Sequence, residues 1–139
     1  MKIYFSGSIR GSKEYTEIYS DFIHELHKYG VVLTEHVGFK NLSVIGEVNM
    51  SVAEIYKRDM DWLVESDIVV AEVSSTSLGV GYEIGQAEAL KKPVYCFCHS
   101  TIGDSLSAMI SGNPNVKLYR YTTIEGIREI LEKEFGKDK

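Results

Sequence analysis

Long apolar runs are absent from this sequence, cysteine is scarce, and there is no excess of positive charge. The first apolar segment, residues 1–5, breaks at Ser6-Gly7-Ser8 and is too short for a signal peptide or a membrane-spanning helix. We therefore predict a cytoplasmic protein with no membrane partner.

Two cysteines are present, Cys96 and Cys98, whose spacing in an apolar run puts both on one face of a strand as buried free thiols. His99 is the only further ligand type beside them, so the pattern does not favour a metal site.

The charge balance excludes one broad class of partner. The chain has 15 Lys and Arg against 20 Asp and Glu, for a formal net charge of -5 and a pI near 5.4. A nucleic acid polymer needs a basic surface, so any phosphate must be held by a local site. Apolar residues at 44% and charged residues at 25% exclude disorder or a fibre. The 139 residues predict one domain, 1–135, with a frayed tail at 136–139.

Apolar runs and helical segments alternate along the chain. Runs rich in branched and aromatic residues predict five strands: Ile3–Phe5, Val31–Leu33, Ile68–Val73, Val94–Cys98 and Val116–Tyr121. Apolar spacings of three and four predict a first helix that carries Tyr15 to Leu26, and further helices at Ser51–Glu65, Val80–Leu90, Ser105–Ile110 and Ile124–Phe135. The run 68–71 lacks polar alternation, as in a central parallel strand. We predict a doubly wound α/β domain, a five-stranded parallel sheet flanked by helices, with its ligand at the carboxyl ends of the strands.

A loop of small residues, Ser6–Ser12, joins the first strand to the first helix. Its glycines let the backbone approach a ligand, the free amides of the helix start favour an anion, and Arg10 adds a charged fork. The loop matches neither the dinucleotide fingerprint nor the P-loop. From these residues alone, a phosphate site and a plain tight turn are equally consistent.

Two carboxylates stand where a charge needs an explanation. Asp59 falls on the apolar stripe of the second predicted helix, where a carboxylate must be paired or hydrogen-bonded. A salt bridge to Arg10 or Lys57 and a functional role are both open. Glu83 falls in the first turn or so of the next helix, where the helix dipole favours its ionised form. It is a candidate nucleophile, but a glutamate that only satisfies the dipole has the same local sequence.

Other polar residues near the predicted ligand edge have two interpretations each. Ser77 is either a helix cap or a phosphate donor. His36 and His99 each follow a strand and are candidate substrate contacts, whereas the two histidines of the first helix lack the spacing of a zinc site. The stretch Glu35–Met50 has little periodicity, and we interpret it as a flap.

Several motifs spread over nearly the whole chain belong together: Tyr4-Phe5-Ser6-Gly7-Ser8-Ile9-Arg10-Gly11, Leu33-Thr34-Glu35-His36-Val37, Asp59 with Trp62-Leu63, Ser77-Leu78-Gly79-Val80-Gly81-Tyr82-Glu83, and Leu106-Ser107-Ala108-Met109-Ile110. This set closely resembles the 2'-deoxynucleoside 5'-phosphate N-hydrolases, in the nucleoside 2-deoxyribosyltransferase superfamily. Ser12 stands where a second glycine is common in that family.

The resemblance implies a Rossmann-like homodimer that needs no metal or cofactor. It implies an enzyme that hydrolyses the N-glycosidic bond of deoxynucleoside monophosphates, giving a free base and 2-deoxyribose 5-phosphate. Glu83 matches the nucleophile, Asp59 the second catalytic carboxylate, and Tyr4 the hydroxyl that orients the nucleophile. Substrate contacts are implied at Gly7, Ser8, Ile9, Arg10, Gly11, Ser12, Tyr19, His36, Ser77 and Gly79 and, from the other subunit, at Ser107, Ala108 and Met109.

These roles suit a retaining glycosidase scheme. Glu83 attacks C1', and Asp59 protonates the departing base and later activates water, which requires Asp59 to carry a proton. Because a missing 2'-hydroxyl makes the oxocarbenium ion easier to reach, we expect selectivity for deoxynucleotides. Two alternatives are open: a deoxyribosyltransferase that passes the sugar to a second base, and a nucleotide-binding sensor without chemistry. The base preference is not determined by the sequence.

Overall fold

The central element of the fold is an all-parallel five-stranded sheet with the strand order β2-β1-β3-β4-β5. The computed structural model describes residues 1–9, 13–38 and 49–138. The strands are β1 (Lys2–Ser6), β2 (Val31–Val32), β3 (Ile68–Glu72), β4 (Val94–His99) and β5 (Val116–Tyr121). From β1 the chain adds β2 on one side and then returns to add β3 on the other. The predicted doubly wound α/β fold is confirmed, and its topological switch point lies between β1 and β3.

Helices connect the strands and cover the sheet. They are α1 (Lys13–Thr16), α2 (Tyr19–Leu26), α3 (Val52–Glu65), α4 (Leu78–Ala89), α5 (Ala108–Ser111) and α6 (Ile124–Phe135), with 3-10 turns at Glu35–Gly38, Ser100–Ser105 and Gly136–Asp138. Ser51 and Glu54 form a capping box at the start of α3, which fixes where that helix begins. Within the three described ranges, no helix has the length and apolar character needed to cross a bilayer.

Two helix predictions are wrong in detail. The first helix is interrupted, because residues 17 and 18 form a turn between α1 and α2. The predicted helix Ser105–Ile110 is instead the end of a 3-10 turn followed by the short helix α5. For the first helix the reason is physical: apolar spacing reports which side chains pack against the core, and that packing continues across a turn that breaks the helical hydrogen bonds. In the second segment Leu106 and Ile110 also keep a helical spacing and pack against the core from either side of the break. Residues 39–48 of the predicted flap lie outside the described residues.

The two faces of the sheet have separate cores. Against α2 and α6, aromatic and aliphatic side chains pack together, including Phe5, Phe22, Val70, Phe97 and Leu131. Against α3 and α4, the core includes Tyr4, Leu63, Val69, Ala71 and Cys96. All five residues of β3 are buried, as predicted for a central parallel strand. The prediction of buried free thiols at Cys96 and Cys98 is also confirmed.

Candidate active site

Three elements bring two carboxylates and two hydroxyls together at the switch point. Tyr4 and Ser6 lie two residues apart on β1, so they face the same side of the sheet, and both are buried. Glu83 of α4 interacts with both hydroxyls, and the negative charge of Asp59 on α3 reaches Glu83 and Tyr4. The residues predicted from sequence to do chemistry, Tyr4, Asp59 and Glu83, are therefore neighbours in the fold.

The Glu83 carboxyl lies in surroundings that disfavour its charged form. Burial raises its pKa to about 7, the Tyr4 and Ser6 hydroxyls oppose that rise, and the Asp59 charge adds to it. The sequence led us to expect the opposite, an ionised form favoured by the helix dipole. Glu83 is instead the sixth residue of α4, beyond the first turn where the dipole acts, so burial dominates.

Tyr4 is held as a neutral phenol. Burial raises its pKa well above the ordinary range, and the charges of Glu83 and Asp59 raise it further. A protonated phenol can donate a hydrogen bond to a carboxylate. The predicted role of Tyr4, orienting the nucleophile, is compatible with this position and stays a prediction.

Ser6 was not singled out from the sequence. Its side chain is buried, and its Oγ is the one buried side-chain polar atom in the described ranges without a hydrogen bond of standard geometry. The hydroxyl nevertheless lowers the pKa of Glu83. A serine at the end of a strand carries no recognisable pattern, so only the fold identifies it.

Asp59 pairs with its sequence neighbour, Arg58, an option that the sequence analysis did not consider. Arg58 Nε and Nη2 each lie 2.9 Å from Asp59 Oδ1. Lys57, one of the two partners proposed from sequence, pairs with Asp61 instead. The other, Arg10, lies outside the described residues. An ion pair with a guanidinium favours the carboxylate form of Asp59.

Arg58 also contacts the residue predicted as a substrate contact, His36. Its Nη2 lies 3.1 Å from His36 Nε2, and its guanidinium carbon lies 4.9 Å from the centre of the Trp62 ring. The rings of His36 and Trp62 are 5.6 Å apart. The structure therefore places His36 beside Asp59, through Arg58.

The loop after β1 is shaped by Tyr19. The Ser8 amide donates to Tyr19 Oη at 3.0 Å, and a Cβ added at Gly7 would lie 2.8 Å from the Tyr19 ring. Glycine at position 7 is therefore required by a close approach. Tyr19 is itself buried behind the loop, and Ile9 is half-buried in front of it. The other three predicted residues of this loop, Arg10, Gly11 and Ser12, lie outside the described residues.

The loop after β3 is anchored by a buried acid that the sequence analysis missed. Glu72 is fully buried and accepts hydrogen bonds from the Ser74 amide at 2.7 Å, the Ser74 hydroxyl at 2.9 Å and the Tyr121 hydroxyl. Burial raises the pKa of Glu72 against the effect of these donors. The Ser74 hydroxyl also accepts from the His99 amide at 2.8 Å, which ties the loop to the end of β4.

Ser77 begins α4, and both interpretations of it are still open. Its hydroxyl accepts from the Val80 amide at 3.2 Å, so the capping role is present. Its own proton remains a donor for a ligand. A Cβ at Gly79 would lie 3.9 Å from Glu83 Oε1, so this glycine borders the carboxylate.

The segment 107–109 borders a face of α4 that does not include Glu83. Ser107, Ala108 and Met109 are exposed, and Ser107 and Met109 line a pocket of about 610 Å³ against α4. The α4 residues of that pocket share one face of the helix, and Glu83 is not among its lining residues. Within one chain, the pocket that Ser107 and Met109 line includes neither Glu83 nor Asp59.

Comparison with known proteins identifies the family. The model of the nucleoside 2-deoxyribosyltransferase family matches residues 3–111. The chain belongs to this family. A 5-hydroxymethyl-dUMP N-hydrolase of Esox lucius is 44% identical over 145 residues, with 99% of this chain and 100% of the relative covered. A human 5-hydroxymethyl-dUMP N-hydrolase is 38% identical over 139 residues, with 98% and 80% covered.

Structural comparison gives the same fold. A Clostridium botulinum CMP N-glycosidase aligns with a TM-score of 0.68 at 20% identity, over 96% of this chain and 99% of the other. The predicted family is confirmed, and so is the prediction of an enzyme of the N-glycosidase type. The individual roles of the site residues stay predictions.

Proposed function

We propose that this enzyme hydrolyses the N-glycosidic bond of 2'-deoxynucleoside 5'-monophosphates to a free base and 2-deoxyribose 5-phosphate. The observation that carries the proposal is the pair of half-buried carboxylates, Glu83 and Asp59, beside the buried Tyr4 phenol at the switch point. A retaining glycosidase needs two carboxyl groups on one sugar, one to attack and one to exchange protons. The relatives named for N-hydrolysis of a deoxyuridine monophosphate support the same bond and the same sugar phosphate.

In this mechanism the reactive enzyme carries one proton on the two carboxyls. Glu83 attacks C1' as the carboxylate while Asp59 gives the proton to the departing base, which leaves a covalent deoxyribosyl phosphate on Glu83. Asp59, now ionised, takes a proton from water, and the hydroxide released attacks C1' and frees Glu83. A pKa of about 7 at Glu83 supports a singly protonated pair at neutral pH.

The phosphate is held in this proposal by the loop after β1 and by the start of α4. Gly7 permits close approach, and the Ser77 hydroxyl has a proton to donate. The net charge of -5 makes such a local grip necessary, because the surface as a whole does not attract an anion. A cytoplasmic location and the absence of a cofactor stay predictions.

The experiment is product analysis. Wild type, Glu83→Ala and Asp59→Asn are incubated with the four deoxynucleoside monophosphates, 5-hydroxymethyl-dUMP and the matching ribonucleotides, and base and sugar phosphate are separated by chromatography. We expect release by wild type, none by Glu83→Ala, a loss of at least about 100-fold for Asp59→Asn, and a preference for deoxynucleotides. Binding of every nucleotide without release would refute hydrolysis and favour the sensor.

The second candidate is a deoxyribosyltransferase, which the family description itself supports. Both reactions share the Glu83 intermediate and differ in whether water or a second base accepts the sugar. A different free base is added to the reaction, and the new nucleotide is measured. A hydrolase gives sugar phosphate alone, whereas a transferase gives the exchanged nucleotide.

The active site is completed by a second copy of the chain in this proposal. The segment Ser107, Ala108 and Met109 is exposed, and the pocket that Ser107 and Met109 line includes neither Glu83 nor Asp59, which supports its use by a partner subunit. Glu83→Ala and Ser107→Tyr are mixed after partial unfolding and refolding; mixed dimers would contain one intact site and recover activity. Glu83→Ala mixed with Asp59→Asn is the control, because both residues belong to the same site and no intact site forms.

A further inference from the structure

Arg58 is a fixed cation rather than a mobile surface arginine. Its guanidinium is contacted on several sides: Asp59 Oδ1 at 2.9 Å, His36 Nε2 at 3.1 Å, Met50 Sδ at 3.1 Å, and the Trp62 ring at 4.9 Å. Arg58 and Trp62 are one turn apart on α3, which places the guanidinium over the ring. The side chain is 21% exposed, so solvent screens this charge less than a surface charge.

The contact between Arg58 and His36 defines the charge of the His36 ring. Arginine has no acceptor, so His36 Nε2 must be the acceptor of the 3.1 Å hydrogen bond and the ring is neutral. A protonated His36 would repel the guanidinium. Arg58 therefore brings a positive charge to Asp59, and the neutral His36 does not. Tyr4 of β1 and Glu83 of α4 also interact electrostatically with this carboxylate.

We propose that Arg58 is a positioning residue that holds Asp59 as a carboxylate and thereby leaves the last proton of the free enzyme on Glu83. Arg58 Nε donates to Asp59 Oδ1 at 2.9 Å, and Arg58 Nη2 lies at the same distance from that oxygen. The charge of Arg58 reaches the centre itself, since it also acts on Tyr4. The inference rests on the proposed function only for its kinetic consequence. It describes the free enzyme: the reactive form of the proposed mechanism, with the proton on Asp59, forms when this proton moves from Glu83 to Asp59 in the complex with the nucleotide.

The direct test is a titration of the free protein. Carbon-13 NMR of the side-chain carboxyls follows Asp59 and Glu83 in wild type, Arg58→Gln and Arg58→Met, with Glu83→Gln used for assignment. Without the cation, the Asp59–Glu83 pair keeps its last proton up to a higher pH. We therefore expect the apparent pKa of the final proton loss to rise by about one unit in the two neutral variants, Arg58→Gln and Arg58→Met. Arg58→Met keeps an apolar stem over Trp62 and separates the loss of charge from a loss of packing.

Three further variants test whether the shift in titration is specific to the charge of Arg58. Lys57→Gln removes the neighbouring cation of α3, whose pair with Asp61 is exposed, and should leave the titration unchanged. Arg58→Lys keeps the charge and should restore most of the wild-type titration. His36→Gln, combined with each variant, removes the titration of the imidazole from the comparison.

The titration supports or overturns the proposed role of Arg58 as follows. A shift in both neutral variants, with rescue by Arg58→Lys, supports the proposal; a final proton loss within about 0.2 pH units of wild type in both would overturn it. If wild type releases a base, the falling limb of kcat/KM should move to higher pH by the same amount in Arg58→Gln. If the NMR shift is present and no nucleotide is cleaved, the proposed function fails and the role of Arg58 in the carboxyl pair stands.

Discussion

Replacing Glu83 by glutamine should stabilise the protein at alkaline pH while it abolishes catalysis. The folded protein resists ionisation of Glu83, because burial raises its pKa to about 7 from an ordinary value of 4.5. The unfolded chain carries no such penalty. Above neutral pH the wild-type protein must therefore hold a buried carboxylate that the unfolded state exposes to water.

The sign and size of the change in the free energy of unfolding follow from the linkage between proton binding and folding. A raised pKa in the folded state means that the contribution of Glu83 to stability is fully present below pH 4.5 and is lost as the pH rises through 7. A pKa difference of about 2.5 units corresponds to at most about 3.4 kcal/mol, and the half-buried position makes about 1–3 kcal/mol the expected range. Glutamine has the same shape, stays neutral and still accepts a hydrogen bond from Tyr4.

The assay is urea unfolding of wild type and Glu83→Gln between pH 5 and pH 9. The difference in free energy of unfolding should be small at the acid end, grow in favour of the variant through pH 7, and level off near pH 8. Glu129→Gln, at an exposed position of α6, is the matched control and should track wild type at every pH. A difference that is constant with pH, or that favours wild type at pH 9, would refute the reasoning.

Three further predictions concern the residues around this centre. Gly7→Ala should cost about 1–3 kcal/mol and raise KM, because the new Cβ meets the buried Tyr19 ring, whereas Gly81→Ala, with nothing within 4 Å, should be neutral or stabilising in the same unfolding assay. Glu72→Ala should cost about 2–4 kcal/mol because it leaves three donors unpaired, and Glu72→Gln should cost less than half of that. Ser6→Ala should shift the falling limb of the pH–rate profile upward by about half a unit, since the hydroxyl lowers the pKa of Glu83; an unchanged profile would contradict this.

Much of the fold could be predicted from local pattern. The unbroken apolar run of β3 indicated a central parallel strand, and the small-residue loop after β1 indicated where the ligand edge lies. The break between α1 and α2 could not be predicted, because the buried side chains keep a helical spacing across it. Asp59 was identified for a physical reason, as a charge on an apolar stripe. Of the two partners considered from sequence, Lys57 pairs with Asp61 instead and Arg10 lies outside the described residues, while the pair with Arg58 was not foreseen.

The sequence by itself determined the type of chemistry: an acidic residue on a buried helix face, a second after a glycine-rich loop, and a family pattern that joins them. Only the tertiary structure decided the state of those groups. The pKa of Glu83, the place of the buried Ser6 hydroxyl beside it and the contacts of Arg58 with Asp59 and His36 all depend on how β1, α3, α4 and the turn with His36 pack together, and these segments are distant in the chain. Desolvation and Coulomb interaction act over a few ångströms in space, and the sequence does not record those distances.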